Sequence, residues 1–465
     1  MQNRRYQLYM CIILVVCFLV IFVLVGLQAH AAPVYTQTNT HSILQARTAD
    51  RFIDTIGVNT HLHYTDTVYG QSFDEIIKPK LLASGIRHVR DGAYTSDDHR
   101  RDHFYYQRVR ALAAEGIRFN LITSMDTEWG TATDYTKLED VYAWTDGAVE
   151  SFEGINEPDL QDVDNWVPIV RKAQKQLYTT VKDSPDMQHI KVFGPSPVWA
   201  TKELGDLSAY LDYGNVHPYP GGKMPTGKEY GQSTETIIAD AQVNSGDKPV
   251  MLTETGYHNA LETEDDHLPT SEQATAKYLL RMFFEHFNRN IPRTYIYEFI
   301  NTFADSTTNR EASFGLLRND GSEKPAYKAI KNMITILEDT DGSFDPDTLD
   351  LSISGGDDSI HHTLLQKADG TFYLALWQEK PSWDRHERKE ISVPSQDVTL
   401  TFTTAIEQAR LYTPLTSAEA VEEHTQPDKL TLSVPDHPVI IALQPAQIQQ
   451  KPAYNVALPL VVSAR

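Results

Sequence analysis

Phe152-Glu153-Gly154-Ile155-Asn156-Glu157-Pro158 and Met251-Leu252-Thr253-Glu254-Thr255-Gly256 are the two stretches on which the reading of this 465-residue chain turns. Each begins as an apolar, strand-like run and stops at a glutamate where turn residues take over. A carboxylate at the end of a buried strand is costly to desolvate, so such a residue usually has a task. Two of them, at matching places in a repeating pattern, suggest one reaction divided between an acid and a nucleophile.

Working outward from these stretches, short β-branched runs alternate with amphipathic ones. Strands are expected at 56–62, 87–91, 118–123, 149–156, 191–196, 213–219, 249–254 and 294–300. Helix-like segments fall between them at 73–83, 104–115, 167–181 and 237–243, and a last helix at 326–337 follows the eighth strand. The clearest is 271–288, where Thr270 and Gln273 are placed as a capping box and Leu279, Met282, Phe283 and Phe287 share one face. Strand–helix alternation of this period implies parallel strands joined by crossover helices. Eight repeats match a (β/α)8 TIM barrel, which takes about 250 residues. A doubly wound open sheet is the alternative, but no Gly-rich phosphate loop follows any strand. The predicted class is therefore α/β, with a barrel over 51–340.

An acidic, turn-rich segment at 338–350 reads as a linker. Its aspartates invite a calcium loop, but the glycine and terminal glutamate of such a loop are missing. From 351 to 446 the period changes to alternation, with strands expected at 361–367, 371–378, 398–403, 409–413, 429–434 and 439–444. This predicts a small antiparallel β-sandwich.

The chain opens with Arg4 and Arg5, an uncharged run at 9–27, and Ala29-His30-Ala31, which has the small-x-small form of a cleavage site. Residues 1–31 therefore read as a signal peptide, with an uncleaved membrane anchor as the alternative. Both readings place the remainder outside the cytoplasm, and the expected location is secreted. Cys11 and Cys17, the two cysteines of the chain, lie in this run. The exported remainder would have neither disulfide nor thiolate metal site, and relies on the core that roughly 430 residues can bury. A net charge of −22 argues against nucleic acid or anionic membrane surfaces as partners. It suits a soluble protein acting on neutral partners, and equally serves solubility alone. Nothing in the pattern specifies an oligomeric state.

In a (β/α)8 barrel the active site lies at the C-terminal mouth, fed by the loops after each strand. Glu157 and Glu254 close the fourth and seventh strands, three βα units apart at about 32 residues each, close to the ~31 of a typical barrel divided by eight. Both carboxylates then face one mouth. In a narrow eight-stranded barrel they can approach to about 5–5.5 Å, the separation of a retaining glycosidase.

Asn156-Glu157-Pro158 after the fourth strand, with Thr253-Glu254 ending the seventh, resembles the clan A glycoside hydrolases. That retaining (β/α)8 superfamily includes cellulases, mannanases, xylosidases and β-glucosidases, and several of its families carry an accessory β-domain. The resemblance implies a glycoside hydrolase cleaving β-glycosidic bonds of an extracellular oligo- or polysaccharide, with Glu157 as general acid/base and Glu254 as nucleophile. It further implies that Asn156 hydrogen-bonds the sugar 2-hydroxyl. Arg90, ending the second strand, would keep the nucleophile ionised unless it pairs at the rim with Asp91. In His217-Pro218-Tyr219 after the sixth strand, Tyr219 would orient the nucleophile and His217 would line the sugar site. The following Gly221-Gly222 permits a flexible loop over the cleft.

Two positions depart from the clan. Thr123-Ser124-Met125-Asp126 stands where many members have a histidine after the third strand. Tyr297-Glu298-Phe299-Ile300-Asn301 stands where many have a platform tryptophan after the eighth. Trp129 or Trp199 offers a stacking surface instead, and Glu298 and Asn301 either touch substrate or seal the rim. His61-Leu62-His63 has the alternation of two ligands, but no third is evident, so no metal site is assigned and a rim histidine is the better reading. His361-His362 has no catalytic meaning. No cofactor signature is present, and the proposed hydrolysis requires no cofactor. The rival readings are a non-catalytic glycan-binding scaffold and a transglycosylase using the same two glutamates. The sandwich is read as stabilising the barrel.

Overall fold

The computed structural model describes residues 42–127, 130–228, 233–339 and 343–446. The predicted signal peptide or anchor, the tail beyond 446 and Trp129 lie outside the described residues. Eight parallel strands form the barrel: β1 (Ile56–Asn59), β2 (His88–Gly92), β3 (Arg118–Ile122), β4 (Val149–Glu153), β5 (Lys191–Phe193), β6 (Gly214–Val216), β7 (Val250–Thr255) and β8 (Thr294–Ile296). Their order is β5-β4-β3-β2-β1-β8-β7-β6, each beside its sequence neighbour. A parallel bridge between Phe193 and Tyr213 closes the ring. All eight expected strands are present, most of them shorter than the apolar runs. The cause is local: Pro218, for example, removes the backbone donor that would extend β6. Asn59, Arg90, Asn120 and Ser151 are successive partners across β1–β4, so the register places four polar residues at one level of the barrel.

The crossover helices are α1 (Lys78–Ser84), α2 (Phe104–Ala113), α3 (Leu138–Trp144), α4 (Trp166–Asp183), α5 (Thr201–Leu204), α6 (Thr234–Ser245), α7 (Glu272–Asn288) and α8 (Pro325–Leu337). The first half of the helix expected at 73–83 is a π-helical turn, Phe73–Ile77. The cap of α7 also differs from expectation. Ser271 is the N-cap and accepts from the Ala274 amide, while the Thr270 hydroxyl pairs with that of Thr275. α7 is buried on nearly every side because it lies between two layers. Leu279, Met282 and Phe283 belong to the barrel's core, and Phe284 stacks on Trp377 of the sandwich at 5.4 Å. Among the described residues no helix is long and apolar enough to cross a membrane.

The sandwich comprises β9 (Thr348–Gly355), β10 (Ile360–Gln366), β11 (Phe372–Gln378), a hairpin of β12 (Trp383–Asp384) and β13 (Lys389–Glu390), then β14 (Gln396–Phe402), β15 (Ile406–Tyr412), β16 (Ala420–Thr425), β17 (Lys429–Val434) and β18 (Val439–Pro445). It extends past the 351–446 segment in one respect that the sequence reading missed. Ser42–Gln45 adds an antiparallel edge to β9, and Arg47–Thr48 pairs with β10, so residues ahead of the barrel complete both sheets. Alternation sorts the two strands shared with the barrel layer. Phe372, Leu374, Leu376, Val439, Ile441 and Leu443 fill the space between the sheets. Tyr373, Ala375, Trp377, Ile440 and Ala442 point the other way and join the barrel's core.

Candidate active site

The upper interior of the barrel is polar, and Arg90 organises it. Its guanidinium grips Glu153 in a two-point contact, Nε to Oε2 at 2.9 Å and Nη2 to Oε1 at 2.7 Å. It also donates to Asn59 Oδ1 at 2.9 Å, Asn156 Oδ1 at 2.7 Å and Glu254 Oε1. Asp91 is not its partner. That carboxylate accepts from Thr60, Leu62 and Gly92 and fixes the β1 loop. Glu153, fully buried, also accepts from Asn120 at 2.5 Å, Asn215 at 2.8 Å and Thr253 at 3.1 Å. Burial by itself would lower the Arg90 pKa, yet Glu153 and Glu254 raise it, so the guanidinium stays charged.

Glu254 ends β7 with 11% of its side chain exposed, and takes a second donor from Tyr219, whose hydroxyl lies 2.8 Å from Oε2. Burial would push its carboxyl up, but the charges of His217 and Arg90 and the hydrogen bonds from Tyr219 and Arg90 outweigh it, holding the pKa at about 2. Tyr219 itself is pushed well above its ordinary value, by burial first and then by the Glu254 charge, so its hydroxyl remains a donor. Glu157 follows β4 in the left-handed region (φ 40°, ψ 53°), sparsely populated for a non-glycine residue, and turns the chain into Pro158. Its Oε1 lies 2.8 Å from His217 Nδ1, and the same nitrogen is 3.8 Å from Glu254. The ligand atoms of Glu157, His217 and Glu254 all fall within 4.8 Å of one another. His217 Nε2 rests on Thr253 Oγ1 at 3.0 Å.

These side chains line a cleft of about 570 Å³ at the C-terminal mouth. Of the sequence-predicted residues, Glu157, Glu254, Asn156, Arg90, His217 and Tyr219 converge there. Trp199 also reaches the cleft, 62% exposed on the β5 loop. That loop is held by Asp159, whose carboxylate accepts from the amides of Val198, Trp199 and Ala200. Glu298 does not face the cleft. It is fully buried, accepts from the Thr302 amide and hydroxyl, and reaches the wall through His61 at 3.3 Å. Asn301 is likewise structural, bonded to Asp305 and to the Gly315 amide.

The residues that sequence reasoning missed fall into two groups. Glu153 and the asparagines on β1, β3 and β6 read as ordinary strand positions, and their common signal is a lone polar residue inside an apolar run. Tyr297, which follows β8 where many clan A enzymes carry a tryptophan, lines the cleft together with Arg310, Glu311 and Phe314. The Gly221-Gly222 pair is no free hinge. The Gly221 carbonyl accepts from Arg385 at 2.8 Å, and a Cβ on Gly222 would meet the Pro269 carbonyl at 2.9 Å. The β12–β13 hairpin thus braces the cleft loops: Trp383 Nε1 donates to Pro269 O at 2.9 Å and Arg388 donates to Leu261 O and Thr263 O.

No family model matches the chain, and no curated protein matches it. Solved structures do. A family 39 glycoside hydrolase from the gut symbiont Bacteroides cellulosilyticus WH2 is 17% identical, with 86% of this chain and 82% of that chain covered and a TM-score of 0.51. A GH39 β-xylosidase from Caulobacter crescentus is 14% identical, with 86% and 98% covered and a TM-score of 0.55. The likeness is one of fold. The TIM barrel with its β-sandwich, which the clan A resemblance implied, is the architecture shared with these enzymes.

Proposed function

We propose that the chain is a retaining glycoside hydrolase acting on β-glycosidic bonds of an oligo- or polysaccharide outside the cell. One observation carries the reading: two glutamates whose carboxylate oxygens lie within 4.8 Å at one barrel mouth, one of them held ionised by Arg90 and Tyr219. An approach within 4.8 Å between one oxygen of each agrees with a retaining separation of about 5–5.5 Å between the carboxyl groups, where an inverting enzyme needs ~6.5–9.5 Å to admit water. In this mechanism a Glu254 oxygen bonds to the anomeric carbon as the glycosidic C–O bond breaks, and Glu157 transfers its proton to the departing oxygen. Water then attacks the same carbon, gives its proton to Glu157, and displaces Glu254. Arg90 also sets the amide of Asn156: a guanidinium only donates, so it holds Oδ1 and leaves the NH2 for the sugar 2-hydroxyl. Trp199 and Tyr297 supply apolar faces for the ring.

The test compares Glu157→Ala and Glu254→Ala on a panel of aryl β-glycosides. Glu254→Ala should lose several orders of magnitude with every leaving group. Glu157→Ala should lose on the order of 10²–10⁴ with a poor leaving group and far less with a good one, because acid catalysis matters least there. NMR of the first product should show the anomer of the substrate. An active wild type indifferent to both changes, or an inverted first product, sinks the reading.

A further inference from the structure

His61 and His63 leave β1 together but part company. His61 turns to Glu298, whereas His63 turns away to the β2–α2 loop, where it meets His99 and His103. The third ligand that the sequence did not reveal thus comes from a different loop, with His99 and His103 four residues apart. The ligand atoms of the three histidines lie within 4.8 Å of one another, and His63 Nε2 faces His99 Nε2 at 2.9 Å.

The proton positions follow from the neighbours. Ser96 Oγ lies 2.9 Å from Asp98 Oδ1 and 2.6 Å from His99 Nδ1. The carboxylate can only accept, so the serine proton goes to Asp98 and the serine oxygen receives Nδ1–H of His99. Asp98 itself stands 3.3 Å from the same nitrogen. His99 therefore carries its proton on Nδ1 and presents a bare Nε2 to His63. A ligating histidine is oriented in the same way, its second nitrogen tied to a carboxylate or hydroxyl. His103 is the adjustable member: its Nδ1 accepts the Tyr105 amide at a long 3.3 Å. With metal–nitrogen bonds of about 2.0–2.1 Å, ligand nitrogens sit roughly 3.4 Å apart, so no side of the triangle, all of them within 4.8 Å, needs to close by more than about 1.4 Å.

We propose that His63, His99 and His103 bind a divalent transition-metal ion of the zinc class, clamping the β1 and β2 loops behind the cleft wall. Imidazoles suit that class, and three of them leave a fourth position to water. The ion would sit outside the catalytic pair. Its link to the cleft is Tyr94, which lines the wall and stacks on His63 at 4.0 Å.

The experiment uses the full chain without a polyhistidine tag, stripped with chelator and dialysed against Zn²⁺ at pH 7.5. Close to one equivalent per chain should remain, with a rise of several degrees in thermal midpoint. His103→Asn keeps a helix-capping side chain on α2, and His63→Phe keeps a ring on Tyr94. Each should bind Zn²⁺ at least tenfold more weakly, while Glu254→Gln binds as wild type. Failure of the wild type to retain Zn²⁺ overturns the proposal, as does undiminished binding by both histidine variants. Loss of the ion in Glu254→Gln would assign it to the catalytic carboxylates and also overturn it.

Discussion

Glu153→Gln is the sharpest test of the buried network, because it changes one atom and preserves the shape. Oε2 of Glu153 receives two donors, Arg90 Nε at 2.9 Å and Asn120 Nδ2 at 2.5 Å. Oε1 receives three, from Arg90 Nη2, Asn215 Nδ2 and Thr253 Oγ1. A glutamine offers one accepting oxygen, so whichever way its amide turns, at least two buried donors face an NH2 instead. Each costs on the order of 1–3 kcal/mol, and one of them belongs to a guanidinium, giving a loss of about 3–5 kcal/mol. For roughly 400 ordered residues at about 2.1 cal/mol/K each, that loss lowers the thermal midpoint by about 5 °C. The assay is thermal and urea unfolding of wild type and variant side by side. A Glu153→Gln protein within about 1 kcal/mol of wild type would refute the five-donor reading, since a surface glutamate behaves that way.

Four further outcomes follow from the geometry. Tyr219→Phe removes a hydrogen bond to a charged carboxylate, worth about 1.5–3 kcal/mol, and should move the acid limb of kcat/KM up by about 1–2 pH units; an unmoved limb would exclude Tyr219 as the donor that holds Glu254 ionised. The same group affects stability: because its folded pKa of about 2 lies below the ordinary 4.5, its contribution is complete above about pH 4.5 and is lost as the pH falls through 2. Trp199→Ala should raise KM about three- to tenfold with kcat and thermal midpoint nearly unchanged, since the side chain is 62% exposed at the cleft; steady-state kinetics and thermal unfolding check this. A chain starting at residue 51 should melt several degrees below one starting at 42, because it loses the edges of both sandwich sheets and the Arg47 guanidinium stacked 3.4 Å from the Phe287 ring.

The sequence was most legible where function and backbone position coincide. A strand of a (β/α)8 barrel delivers its last residue to the mouth, so counting strands sufficed to bring Arg90, Glu157, His217, Tyr219 and Glu254 together. Glu153 was hidden because the expected strand ran on to 156, so it read as an interior position, and its partners Arg90, Asn120, Asn215 and Thr253 lie on four other strands, related by register rather than by spacing. β16 escaped notice because an edge strand rich in charge, Ala-Val-Glu-Glu-His-Thr, reads as loop. Ser42–Thr48 escaped because its partners stand about 300 residues away. Trp383 and Arg388 gave no local hint of bracing the cleft, since their hydrogen bonds run to carbonyls, which any residue carries.

The polar upper level of the barrel accounts for the division of labour proposed for the two glutamates. Most of the core is apolar, yet six strands contribute a polar side chain to the Arg90–Glu153 network. Such a network fixes the guanidinium before substrate arrives, so Glu254 meets a cation that needs no reorganisation. Glu157, 23% exposed, meets only the His217 nitrogen and neither the guanidinium nor the tyrosine. Two carboxylates of one type, less than 5 Å apart, are thereby given different surroundings, which is what an acid and a nucleophile require. The walls of the cleft come instead from loops: His61 and Tyr94, Trp199, Tyr297 and Arg310. None of these side chains bonds to Glu153. Substitutions in the walls should therefore redirect which glycoside is taken while leaving the ionisation of Glu254 intact, and substitutions in the Arg90 network should do the reverse.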